Sequence, residues 1–119
     1  MWLFTRYGFF SVVRATDEPG CVQVRARVAD DLEQLRSFSA SRLAATLPSV
    51  VSTPHADYAY RVIVPQPLWA KLSTALAEDI DYSNFKSEVH SEPDRDAAYL
   101  QVWAAMNDLQ RKRKRHGSG

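Results

Sequence analysis

Residues 21–28 read CVQVRARV, with Val22, Val24, Ala26 and Val28 alternating with Gln23, Arg25 and Arg27. A period of two puts all the apolar side chains on one face of a strand and all the polar ones on the other. Such a strand needs a sheet that is covered on one side and differently populated on the other. With 119 residues in the chain, one core can bury about two thirds of the unfolded surface.

The neighbouring segments supply the rest of that sheet. MWLFTRYGFFSVV opens the chain with aromatic and β-branched residues, a composition suited to a buried strand that bends at Tyr7-Gly8. Thr5, Arg6, Tyr7 and Gly8 interrupt the apolar run, so it is not read as a secretory leader or a bilayer span. The turn ATDEPG then predicts an antiparallel hairpin with the strand at 21–28. Acidic residues open the next segment, and Leu32, Leu35, Phe38 and Leu43 follow at near-helical spacing.

A second pass repeats the theme. SVVS at 49–52 and TPHAD lead into YAYRVIV, whose alternation puts Tyr58, Tyr60, Val62 and Val64 on one face and Arg61 with Ile63 on the other. Pro65 and Pro67 suit a helix start, and Leu68, Leu72, Leu76 and Ile80 form its stripe. RARVADDL and RVIVPQPL agree at their first, fourth and eighth places, as a weak internal repeat would. The expected fold is α+β: a four-stranded, mainly antiparallel sheet from two hairpin–helix (ββα) units, both helices on one face, plus a C-terminal helix.

That last helix begins near Ser91, with Asp94 three places on as in a capping box and Pro93 in the first turn. Tyr99, Val102, Trp103, Met106 and Leu109 form its apolar stripe. The stripe needs cover from the sheet or from a second copy of the chain, which makes it a candidate homodimer surface. Residues 1–110 are expected to form a single α+β domain, and 111–119 a disordered basic tail.

Charge is distributed unevenly. The net charge is +1, but five of the fifteen basic residues are Arg111, Lys112, Arg113, Lys114 and Arg115. Without them ten basic residues face fourteen acidic ones, near −4. Polyanion affinity is therefore expected mainly in the tail, which suits nucleic acid or an acidic protein. Arg25, Arg27 and Arg61 add a second candidate, an arginine-bearing sheet face joined by Arg14 beside Phe10. Arginines and an aromatic on an open sheet suit single-stranded nucleic acid. An ordinary solvated face, with the arginines paired to acids or covered by the third helix, is the competing reading, and Ile63 points towards partial cover.

The densest polar cluster, EDIDYSNFKSEVH, offers Asp79, Asp81, Asn84, Lys86 and His90. It has the groups for a cation site or proton transfer. It lacks metal-loop spacing and a placed nucleophile, so the carboxylates are also read as marking a helix end and Asn84 as serving an Asx-turn. His55, His90 and His116 have no ligand spacing, and the four glycines make no phosphate loop. No cofactor or metal is implied. The single Cys21 allows no intrachain disulfide and suits a reducing cytoplasm.

The body of the chain resembles a family of short bacterial proteins on four segments in order: MWLFTRYGFFSVV, the Arg-rich VQVRARV, DYAYR and DIDYSNFK. The resemblance covers about residues 1–110 and excludes the basic tail. The resemblance implies no particular activity. The functional expectation is a small cytoplasmic, non-catalytic binding or regulatory module that takes nucleic acid through its tail and its arginine face. A homodimeric protein-interaction module and an enzyme or metal site around residues 79–90 are the alternatives.

Overall fold

The structure, a computed structural model, describes residues 1–89 and 92–116. The chain forms two compact units, Met1–Asp81 and Tyr82–Gly119.

The first unit is α+β. Its strands are β1 (Trp2–Thr5), β2 (Gly8–Arg14), β3 (Cys21–Ala26), β4 (Val51–Ser52) and β5 (Tyr60–Pro65); α1 (Ala29–Leu43) and α2 (Gln66–Glu78) follow β3 and β5. The sheet order is β1-β2-β3-β5-β4 and every pair is antiparallel. Five strands therefore replace the expected four. The opening segment is a hairpin rather than one bent strand, with Trp2 opposite Ser11 and Thr5 opposite Gly8. Thr5 makes this reversal: its Oγ1 accepts from the Tyr7 and Gly8 N–H groups and donates to the Gly8 carbonyl. Gly8 supplies a φ of +155°, which L-residues rarely adopt, and leaves room for Asp31 where a Cβ would sit.

The two hairpin–helix units are matched only in part, because three strands precede α1 and β4 is a two-residue edge strand. The core lies on one face of the sheet. Phe10, Val24, Val62 and Val64 from the strands meet Leu32, Leu35 and Leu72 from the helices, all fully buried. Asp30 and Asp31 occupy the first turn of α1, where the helix dipole favours acids. Ala44 ends that helix in the left-handed region at φ 52°. There the Ser39 hydroxyl donates to the Ala45 carbonyl, at 2.8 Å. Pro65 caps α2 and Pro67 lies in its first turn, as the sequence suggests. Ile80 falls beyond the end of α2 and is exposed.

The second unit contains α3 (Phe85–Glu88) and α4 (Pro93–Arg115). Glu92 stands at the N-cap of α4 and Pro93 in its first turn; Ser91 of the expected capping box lies outside the described residues. Residues 111–115, expected to be disordered, are the last turns of this helix. An Asp108–Lys112 pair at i,i+4 supports the end, and cations there face the negative pole of the helix dipole. Among the described residues no helix is long and apolar enough to cross a membrane.

Candidate functional site

Alternation along β3 carries Gln23 and Arg25 to the face opposite the helices. The register sets Arg25 beside Ser11 on β2 and Arg61 on β5. Like charges placed directly across a sheet repel, and here each guanidinium is held by neutral acceptors. Arg25 Nη2 donates to Ser11 Oγ at 2.6 Å. Arg61 donates to Gln23 Oε1 at 2.7 Å, Thr53 Oγ1 at 3.2 Å and the Tyr58 carbonyl at 3.2 Å. Arg61 is thus a structural tie between β5, β3 and the loop before β5. Arg27 lies further out, with Nη1 3.0 Å from Asp57 Oδ1 and 2.7 Å from the Asp57 carbonyl.

Tyr58 departs from the alternation expected of it. It precedes β5, and its buried ring sits under Arg25 and Arg27, whose guanidinium carbons lie 4.5 and 4.0 Å from its centroid. The bent loop at 54–59 breaks the period of two, so Tyr58 belongs to the arginine face instead of sharing Tyr60's. Arg14 is corrected in the opposite sense. It pairs with Val22, on the side of the sheet that packs the helices, and Phe10 is in the core. Neither joins Arg25.

The aromatics of the sheet face opposite α1 and α2 are ones that the sequence reading passed over. Phe4 and Phe9 stack with centroids 4.5 Å apart, and Trp2 meets Phe9 edge to face at 5.9 Å. Phe9 also lies 6.4 Å from Tyr58. Trp2 is 69% exposed and both phenylalanines are half-buried. The result is a row of rings running to the guanidinium groups of Arg25 and Arg27. The signal was present: Phe9 is two residues from Ser11, hence on its face, and Phe4 follows once 2–14 is read as a hairpin.

The polar cluster at 79–90 separates. Asp79 and Asp81 belong to the first unit, Asn84 and Lys86 to the second. The Asp79 side chain, only 10% exposed, accepts from Tyr7 Oη at 2.6 Å, from Arg6 Nη2 at 2.7 Å and from Arg42 Nη2 at 2.6 Å. Arg6 also reaches Asp81 at 2.9 Å. Burial works against the Asp79 charge, but the hydrogen bonds from Tyr7, Arg6 and Arg42 outweigh it and hold the carboxyl below its usual range. Burial and then the bond to Asp79 push the Tyr7 phenol up. A carboxylate so fully engaged closes the hairpin and α1 onto the end of α2; its lone pairs are already committed to these donors. Arg6, Tyr7 and Arg42 carry no local sequence mark of this role, because they are far from Asp79 along the chain.

In the second unit Asn84 Oδ1 accepts from the Lys86 N–H at 2.9 Å, the expected Asx arrangement, and Lys86 Nζ lies 4.8 Å from the Trp103 ring centre. His90 lies outside the described residues. Among the described residues no group of three His, Cys, Asp or Glu side chains is placed to hold a metal ion. A cavity of about 200 Å³ on α1 and the loop after it is lined by Glu33, Arg36, Thr46 and Leu47 and includes none of the sequence candidates. On α4, Tyr99 is buried and stacks on Phe85, while Trp103, Met106 and Leu109 are exposed, as are Arg111, Lys112, Arg113, Lys114 and Arg115.

Comparison with family models, curated proteins and solved structures finds no match. The functional reading therefore rests on the geometry of these surfaces.

Proposed function

We propose that the protein is a non-catalytic binding module that takes single-stranded nucleic acid on its open sheet face. The observation that carries this reading is the row Trp2, Phe9, Phe4 beside Arg25 and Arg27, on the side of the sheet away from the helices. Trp2, the exposed ring of the row, can stack with an unpaired base, a contact worth about 1–3 kcal/mol whatever the sequence. Arg27 is the arginine available to phosphate. Its ion pair with Asp57 joins two exposed side chains, a class of pair worth about 0–1 kcal/mol, so an incoming phosphate replaces that carboxylate at small cost while the bond to the Asp57 carbonyl can stay. Arg25 offers its guanidinium plane while staying tied to Ser11. The basic turns of α4 contribute salt-dependent attraction without selectivity. A cytoplasmic place of action fits the single free cysteine, Cys21.

The test is fluorescence anisotropy with labelled single-stranded and duplex oligonucleotides over a salt series. Trp2 is exposed, so Trp2→Ala leaves the fold intact, and it is expected to weaken single-strand binding about tenfold. Arg27→Gln is expected to weaken it less and to flatten the salt dependence. Ending the chain at residue 110 should lower affinity for single strands and duplex alike. Binding that is absent at low salt, or indifferent to Trp2→Ala, overturns the reading. A second reading, self-association through α4, is favoured by the exposure of Trp103, Met106 and Leu109.

A further inference from the structure

The second unit leaves an apolar seam open. Tyr99, Val102, Met106 and Leu109 alternate spacings of three and four, the a/d pattern of a helix that packs along another helix. Phe85 on α3 covers Tyr99 at one end of the seam. Beyond it Trp103 is 52% and Met106 58% exposed, and Leu109 is exposed as well. The ends of the same helix differ in charge: Asp94 and Asp96 occupy its first turn, and Lys112, Arg113, Lys114 and Arg115 its last.

We infer that two copies of the chain pair through α4 in antiparallel orientation, crossing near residue 104, the midpoint of that helix. This rests on the self-association reading above and adds its geometry. A parallel pair would set two basic ends side by side and two acidic ends side by side, repulsive at both. An antiparallel pair sets the acidic first turn of each copy against the basic last turns of the other. Helix dipoles favour the same choice, since each positive N-terminus then lies beside a negative C-terminus. Trp103 and Met106 flank the centre, so in the antiparallel pair the indole of one copy faces the thioether of the other, a favourable contact class. With Tyr99 already covered by Phe85, the part of the seam left for a partner spans residues 102–109, about 11 Å of helix. Its dimer is accordingly weak and depends on concentration.

The experiment combines sedimentation over a wide concentration range with a spin-label distance measurement. The label is placed at Lys114→Cys in a Cys21→Ser background. Copies of residue 114 in the antiparallel pair are separated by twenty residues of rise, about 30 Å. In a parallel pair they lie within about 15 Å, near the usual interaxial distance. The expected result is a mass that doubles with concentration, a distance near 30 Å, and a monomer for Met106→Glu with an unchanged circular dichroism spectrum. A dimer with the short distance overturns the antiparallel geometry and leaves self-association standing. A dimer that survives Met106→Glu moves the contact away from this seam. A monomer at every concentration overturns both.

Discussion

Helices α2 and α4 make an instructive pair. Both present an apolar stripe, both begin with proline in the first turn, and both place a tryptophan on the stripe. In α2 the stripe is spent: Trp69, Leu72, Ala75 and Leu76 are buried in the core. In α4 only Tyr99 is buried. The ends differ in the converse sense, since α2 has no acid in its first turn and no base in its last, whereas α4 has both. A helix fastened to a sheet takes its stability from burial and needs little from its termini. A helix with an open stripe depends on what is local: alanines at 97, 98, 104 and 105, end charges matched to the dipole, and the Asp108–Lys112 pair.

The sharpest way to break this comparison is to truncate the two tryptophans. Trp69→Ala should cost about 3–5 kcal/mol in a urea titration, the usual loss for a large buried aromatic. Trp103→Ala, measured at low protein concentration, should stay within about 1 kcal/mol. Equal losses would mean that the α4 stripe is covered after all. Next in size is Gly8→Ala, which tests how rigidly the first unit is closed. Its new Cβ would fall 2.6 Å from Asp31 Cβ, at a φ of +155°. A loss of about 3 kcal/mol is expected from crowding and backbone strain together, read as a lower thermal midpoint.

Asp79→Asn tests the clasp at the end of α2. At neutral pH it should cost about 2–3 kcal/mol, because Arg6 and Arg42 lose a largely covered anion. The sign with pH follows from the lowered carboxyl. The folded state releases that proton more readily than the unfolded chain, so the stabilisation is complete above the ordinary carboxylate range. It is lost as pH falls through that range and on through the folded value. Tyr7 works at the other limit. Its phenol is raised on folding, so its contribution holds below pH 10 and is lost as pH rises through the folded value. Stability measured from pH 7 downwards should therefore fall more steeply in the native chain than in Asp79→Asn; parallel curves would remove the clasp from the account. The smallest effect has the opposite sign. Ala44→Gly relieves a left-handed residue at the end of α1 and should stabilise by about 0.5 kcal/mol, visible as a higher urea midpoint with unchanged slope.

Residue patterns alone determined a good deal of this protein. The alternation in 21–26 and 60–64 marked two central strands and their core-facing residues, because the period of a pleated strand is a local property; Val28, expected on the same face, lies beyond β3 at the start of α1 and is exposed. Apolar spacing and first-turn acids or prolines located α1, α2 and α4 for the same reason. Asn84 was legible as a cap, since an Asx bond reaches only two residues. What the tertiary structure decided was everything that depends on a distant partner. The reversal at 5–8 is held locally by Thr5, but the need for glycine at position 8 comes from Asp31, a distant side chain of α1 that fills the place of a Cβ. The fate of Arg61 depended on Gln23 and Thr53, and that of Asp79 on Arg6 and Arg42. Tyr58 changed faces because a loop ignores the strand period. Periodicity says which side of an element is apolar or charged; only the packed chain supplies the neighbour that covers that side or leaves it open.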